Sequence, residues 1–274
     1  MKVGLAQMDI LRKDKAGNLT ACGGYIRQAA EQGVDLLLFP EMTLTGFSSH
    51  PEADGEALDS SPTLRFFSQE AAAHRMAIGF GMIVPNSAVP EKGENHCILL
   101  DRAGAILADY AKIHPFAFGA EGRYYVGGRR WTSCRLDAFT IAPFVCYDLR
   151  FPEIFRVNSS QVQLMTVIAN WPASRLEQWY LLLRARALEN QCYVAAVNRW
   201  GWEGKMEYTG GSVVISPDGT ILCQEESGPC LLTAEIQRET VDSYRQSFPF
   251  LPDRRPDVYA RLFREEAGAP GGAL

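Results

Sequence analysis

Three segments of the chain carry reactive side chains at the ends of apolar runs. In Leu36-Leu37-Leu38-Phe39-Pro40-Glu41 a carboxylate follows a nearly continuous hydrophobic stretch. Desolvation at such a strand end suits it to general-base work. A solvated glutamate pairing with a surface lysine has the same local pattern. In Asp109-Tyr110-Ala111-Lys112-Ile113-His114 a lysine leaves a second strand-like run, and alone it reads as a surface residue. The third segment, Ile141 to Pro152, places Cys146 where a strand turns into a helix. The unpaired N–H groups of an incoming helix favour a thiolate there and can hold a developing oxyanion. Buried cysteines otherwise act as small hydrophobes. Cys146 differs from the other six in this setting, with Asp148 and Arg150 just behind it.

These residues depend on elements that the pattern of the chain predicts. Met1–Gln7 reads as a strand and Asn18–Gln32 as a helix, with Asn18 as N-cap and Gly33 as its stop. Val34–Phe39 reads as a strand buried on both faces and ended by Pro40. Ser61-Pro62 opens the next helix as N-cap and first residue. Met76–Val84, His96–Asp101 and Ala105–Tyr110 follow as strands, the last two joined at Arg102-Ala103-Gly104. Further on, Phe139–Cys146, Leu164–Ala169, Cys192–Val197, Ser212–Ser216, Ile221–Gln224 and Pro229–Ala234 read as strands. Pro152–Arg156 and Arg175–Asn190 are helical, the latter the longest helical pattern, with Leu182, Ala185 and Leu188 on its apolar stripe. Strands alternating with helices predict one α/β domain over residues 1–248, with 249–274 as a C-terminal arm.

Composition narrows the function classes. In 274 residues, 27 Lys and Arg stand against 32 Asp and Glu, a net charge of −5. Binding to nucleic acid or an anionic membrane needs clustered positive charge, so neither partner is expected. With 47% hydrophobic and 22% charged residues the sequence is that of an ordinary globule, with no leader or membrane-spanning run expected. The seven cysteines include no CxxC, and the four histidines no HxxxH. Free thiols of a cytoplasmic protein are therefore expected, with no metal site. There is neither a GxxxxGK[ST] loop nor a GxGxxG turn, which removes the usual nucleotide readings.

Taken together, the three segments resemble the nitrilase, or carbon–nitrogen hydrolase, superfamily. Phe39-Pro40-Glu41 with Thr45-Gly46-Phe47 is similar to its catalytic-glutamate segment, Tyr110 to His114 to its lysine segment, and Val145 to Glu153 to its nucleophile elbow. Asn170-Trp171-Pro172-Ala173, Arg184 to Gln191 and Gly210 to Gly219 fit downstream, all in order over about residues 1–250. The resemblance implies a four-layer αββα sandwich and a homodimer or higher oligomer packed through the face near the active site. It implies Cys146 as nucleophile, Glu41 as general base, Lys112 as cationic stabiliser and Glu121 as the second glutamate. The Tyr147 N–H would share the oxyanion with Lys112. No cofactor is implied.

The Cys146-Tyr147-Asp148 continuation resembles amidase branches, and Asn170 to Ala173 with Arg186 to Gln191 is most similar to the omega-amidase branch. That branch hydrolyses 2-oxoglutaramate and 2-oxosuccinamate. A dicarboxylic monoamide needs a cation for its far carboxylate, and Arg150, Arg175 and Arg199 are the candidates, each alternatively a structural ion pair. Trp171 is expected either as a pocket wall or as ordinary packing. Another carbon–nitrogen hydrolase specificity (N-carbamoyl amino acids or aliphatic amides) would keep the same catalytic residues. A silent binding module on the same fold would have no use for all three of Glu41, Lys112 and Cys146. A papain-like pairing of Cys146 with His114 lacks that family's surrounding motifs.

Overall fold

The computed structural model describes residues 1–266. From the N-terminus, β1 (Lys2–Gln7) leads through α1 (Lys15–Glu31) to β2 (Leu36–Leu38). The short α2 (Pro51–Asp54) and then α3 (Pro62–His74) precede β3 (Ala77–Pro85), β4 (Gly93–Leu100) and β5 (Ile106–Ala111). One turn of helix, α4 (Glu121–Tyr124), comes before β6 (Cys134–Leu136) and β7 (Phe139–Val145). A 3₁₀ turn at Cys146–Arg150 runs into α5 (Pro152–Arg156), followed by β8 (Leu164–Ala169), α6 (Leu176–Asn190) and β9 (Tyr193–Asn198). A hairpin of β10 (Trp200–Glu203) and β11 (Met206–Thr209) precedes β12 (Ser212–Ile215), β13 (Ile221–Glu225) and β14 (Cys230–Glu235). Two further helices, α7 (Arg238–Ser247) and α8 (Pro256–Glu266), close the described chain.

The strands form two six-stranded sheets, ordered β14-β1-β2-β3-β4-β5 and β13-β12-β9-β8-β7-β6. At their centres β1, β2 and β3 run parallel, as do β7, β8 and β9. The two sheets share one continuous core, in which Val3, Leu5, Leu36, Leu38 and Leu99 of the first join Ile141, Phe144 and Val167 of the second. Alternation sends Leu37, Ile78 and Ile98 the other way, onto Ile26, Ala29, Phe67 and Ala71 of α1 and α3. The helices α5 and α6 cover the outer face of the second sheet, with Phe155, Trp179 and Leu183 fully buried. The result is the expected helix–sheet–sheet–helix sandwich.

Local chemistry explains where the element bounds differ from expectation. Helix α1 starts three residues before Asn18, because Asp14 is the N-cap and accepts from the Gly17 N–H at 2.9 Å. The Asn18 amide instead donates to the Leu11 and Leu44 carbonyls from inside the core. Ser61 does cap α3, accepting from the Leu64 N–H, a contact worth about 1 kcal/mol. The longest helix is α1 at 17 residues, not α6 at 15. In α6 the buried stripe is Trp179, Leu183, Arg186, Ala187 and Asn190, offset by one from the expected leucines, and Leu188 is 41% exposed. Within the C-terminal segment, α8 buries none of its side chains; residues 267–274 of the expected arm lie outside the described residues.

The seven cysteines are all free, and four of them, Cys22, Cys97, Cys134 and Cys192, are buried. No helix among the described residues is long and apolar enough to cross a membrane.

Candidate active site

The carboxyl ends of β2 and β7, the end of β5 and the loop after β8 converge at one end of the sandwich, around a cavity of about 350 Å³. Openings at the carboxyl ends of parallel strands are where such sheets bind ligands. Glu41 follows β2 on a turn whose next residue, Met42, has φ of 48°. That turn rests on β3: Thr43 N–H donates to the Gly81 carbonyl, and the Thr43 hydroxyl accepts from the Gly81 N–H while donating to the Pro40 carbonyl. A Cβ at position 81 would lie 2.4 Å from the Met42 nitrogen, so glycine is required for this approach.

Cys146 itself has φ of 45°, in the left-handed region that residues with a Cβ avoid. The strain is held from beneath by Asp148, which is fully buried. One of its oxygens accepts from the Tyr110 hydroxyl at 2.8 Å and from the Val145 N–H at 3.2 Å. The other meets the His114 N–H at 3.0 Å and His114 Nδ1 at 2.9 Å. His114 therefore faces Asp148, with its ring stacked on Phe151, and serves the elbow from below. The Cys–His pairing is not what the fold builds.

Glu41, Lys112 and Glu121, each no more than 6% exposed, form one buried cluster beside Cys146. Lys112 Nζ donates to Glu41 Oε1 at 2.9 Å and to Glu121 Oε1 and Oε2 at 2.9 and 2.8 Å. Glu121 Oε2 also accepts from the Phe116 N–H at 2.7 Å, and Glu41 Oε2 from the Asn170 N–H at 2.9 Å. Burial alone would depress the Lys112 pKa, but Glu121 and Glu41 outweigh it and hold it well above the ordinary lysine value. Burial would likewise raise Glu121, yet Lys112 and the surrounding N–H donors bring it below the usual carboxylate range.

For Cys146 the surroundings act against the thiolate that a strand-to-helix junction favours. Burial, then the charge of Glu41, push the thiol well above its ordinary pKa, and Lys112 offsets only part of this. Glu121 adds to the same upward push, and the one ammonium of Lys112 serves both carboxylates. A short helical turn does not compensate for that charge.

Tyr147, Trp171, Arg150 and Arg175 all line the cavity. Trp171 fills both expected roles: it walls the cavity and packs on Trp179 with ring centroids 5.4 Å apart. Its loop is pinned by Asn198, whose side chain accepts from the Trp171 N–H and donates to the Trp171 and Gly210 carbonyls. The Arg150 guanidinium lies 4.8 Å over the Trp171 ring and donates to Gln178, while Arg175 lies over Phe116. Neither arginine forms an ion pair among the described residues. Arg199 is different, and here the structure corrects the expectation. It is fully buried outside the cavity lining, paired with Glu203 at 2.8 Å and Asp9 at 3.4 Å, and so is consumed as a structural cation.

Sequence reasoning missed Asn95 and the β10–β11 hairpin, which brings Glu203, Met206 and Tyr208 to the cavity wall. The alternation of Trp200 and Trp202 before Gly204 was a usable hairpin signal. Asn95 gave none, since a polar residue beside the predicted start of a strand reads as a boundary.

A model of the family described as "Carbon-nitrogen hydrolase" matches residues 2–246. The chain belongs to the carbon–nitrogen hydrolase family. It is 33% identical over 255 residues to an omega-amidase of Yersinia enterocolitica, covering 92% of this chain and 96% of that protein. It is 30% identical over 261 residues to the 2-oxoglutaramate amidase of Bacillus subtilis, covering 94% and 98%. Among solved structures it is similar to the nitrilase-superfamily amidase from Nesterenkonia sp. AN1, at 27% identity and a TM-score of 0.84 over 95% of each chain. In that structure the acetamide moiety of fluoroacetamide is covalently added at the active-site cysteine. The family makes this chain a hydrolase of carbon–nitrogen bonds, and its amidase relatives make it an amidohydrolase.

Proposed function

We propose that this chain hydrolyses the terminal amide of a small dicarboxylic acid monoamide, of which 2-oxoglutaramate and 2-oxosuccinamate are the type, to a carboxylate and ammonia. The observation that carries the reading is the content of one cavity: a thiol, a base with its counter-cation, and two arginines without ion-pair partners among the described residues. Residues 1–248 form the hydrolase domain and the described residues after 248 belong to a C-terminal arm, in a cytoplasmic homodimer or higher oligomer.

Glu41 takes the Cys146 proton as sulfur attacks the amide carbon, so no free thiolate is needed. The oxyanion is held by the Tyr147 N–H and by Lys112, whose bond to Glu41 weakens once that carboxylate is neutral. Preorganised donors of this kind contribute about 3–4 kcal/mol each. Collapse expels ammonia with the proton from Glu41 and leaves a thioester on Cys146. Water, deprotonated by Glu41, cleaves the thioester, and the proton returns to sulfur. Glu121 remains an anion throughout and fixes Lys112. Arg150 and Arg175 take the far carboxylate, for which a guanidinium offers paired N–H donors.

The test is ammonia release from 2-oxoglutaramate, 2-oxosuccinamate and succinamate by wild type and Cys146→Ala in parallel. Release by wild type alone is expected, with the variant down at least about 10⁴-fold and folded. Release by neither protein would remove this substrate class; release by both would remove Cys146 as nucleophile.

A further inference from the structure

Asn95 lies on β4, is 2% exposed, and is, among the described residues, the one uncharged side chain that hydrogen-bonds to both carboxylates of the cluster. Its Nδ2 donates to Glu41 Oε1 at 2.7 Å and to Glu121 Oε1 at 3.1 Å, and its backbone carbonyl accepts from the Lys112 N–H. Its own Oδ1 is buried with no partner. A buried acceptor left unpaired is costly, so an amide kept here is held for what its nitrogen does.

A count of donors shows what that is. Glu121 receives four: two from Lys112, one from the Phe116 N–H and one from Asn95. Two carboxylate oxygens have about four lone-pair directions, so Glu121 is saturated. Glu41 receives three, from Lys112 and Asn95 on Oε1 and from the Asn170 N–H on Oε2. One direction on Glu41 Oε2 stays open. We propose that Asn95 is a positioning residue that fills the last site on Glu121 and steadies Oε1 of Glu41, so that protons enter and leave the cluster only at Glu41 Oε2. This rests on the reading of Glu41 as the base.

The charged and titratable groups around this amide are Glu41 beyond β2, Lys112 beyond β5, Glu121 on α4 and Cys146 beyond β7. Tyr125 and Tyr208 lie further out in the same field. Removing both N–H donors leaves each carboxylate with a stronger hold on a proton, because donors to the charged form are lost. The acid limb of any rate that uses Glu41 then moves to higher pH.

The experiment is the rate of Cys146 alkylation by iodoacetamide against pH, followed by mass of the Cys146 peptide, which needs no knowledge of the substrate. Asn95→Leu removes the donors, and the smaller, equally uncharged Asn95→Ala decides the matter if the first variant does not fold. The expected result is an acid limb about one pH unit higher in the folded variants. A limb at the wild-type pH in a folded variant, whatever the absolute rate, overturns the proposal, since a merely structural role lowers the folded fraction without moving it. Glu41→Gln separates the two readings. If the wild-type limb persists in that variant, the base assignment falls. If it vanishes there but stays unmoved in the Asn95 variants, the base stands and the role of Asn95 falls.

Discussion

The chemistry of single residues here is set by charge balance more than by identity. Three buried ionisable groups, Glu41, Lys112 and Glu121, are stable together because one ammonium serves both carboxylates within 2.9 Å. Removing one partner of a buried pair typically costs about 3–5 kcal/mol, since the charge left behind stays desolvated. Lys112→Met is therefore expected to lower the thermal midpoint measurably as well as abolish turnover, whereas Cys146→Ala abolishes turnover at an unchanged or higher midpoint. Calorimetry distinguishes the two. The pH dependence of folding has a definite sign. Glu121 has a depressed carboxyl pKa, so its contribution is complete above the unfolded value of roughly 4.3 and fades as pH falls through the folded value. Glu121→Gln should lose stability at neutral pH and show a flatter acid limb in urea titrations. An acid limb as steep as that of wild type would mean that another carboxylate dominates.

At the scale of elements, both reactive side chains stand on turns that the regular structure strains and then braces. Met42 and Cys146 have φ near +48° and +45°, and each turn is clasped by a neighbouring strand. Strain of this kind persists only where the surroundings over-determine it. Gly81 on β3 is the brace for Glu41. Gly81→Ala would press a methyl into the Met42 backbone nitrogen, where no flexible side chain can yield. The expected effect is about 1–3 kcal/mol of lost stability and about a 100-fold fall in kcat from displaced Glu41, measured by urea unfolding and steady-state kinetics. Unchanged kcat would show that the Glu41 turn can shift without loss. Asp148 is the corresponding brace for Cys146, which is why His114→Ala should act through the elbow, mildly, and not as loss of a catalytic base.

At the scale of the molecule, one cavity is lined both by the reacting groups and by Arg150 and Arg175. Arg150→Met and Arg175→Met are each expected to raise KM for 2-oxoglutaramate about 10- to 100-fold with a smaller change in kcat, because the far carboxylate is bound alike in ground and transition states. The same variants should leave an amide without a far carboxylate unaffected, and equal losses on both substrates would give the arginines a structural role. The other outward feature is α6, where Leu181 is 71% and Leu188 41% exposed on a helix that carries structure to the site. Sedimentation equilibrium is expected to give a dimer or larger species, and Leu181→Glu to shift it toward monomer.

What the sequence determined by itself was whatever repeats locally. The leucine run before Glu41, the Ser61-Pro62 start and the apolar strand before Cys146 reveal their elements because neighbours along the chain set periodicity and capping. Glu41, Lys112 and Cys146 are reactive side chains at strand ends that are ambiguous one by one, and it is the three segments together, in their resemblance to a known family, that single them out. Tertiary structure decided everything that depends on partners distant in sequence. Asn95 meets Glu41 across 54 positions, and Asn170 reaches it across 129. Arg150 and Arg199 look alike as sequence, yet one faces the cavity beside an indole ring and the other is neutralised by Asp9 from across the fold. The surroundings of the nucleophile were decided there too. A strand-to-helix junction favours a thiolate, and burial with two carboxylates brought in from elsewhere in the chain, sharing one lysine, pushes the other way.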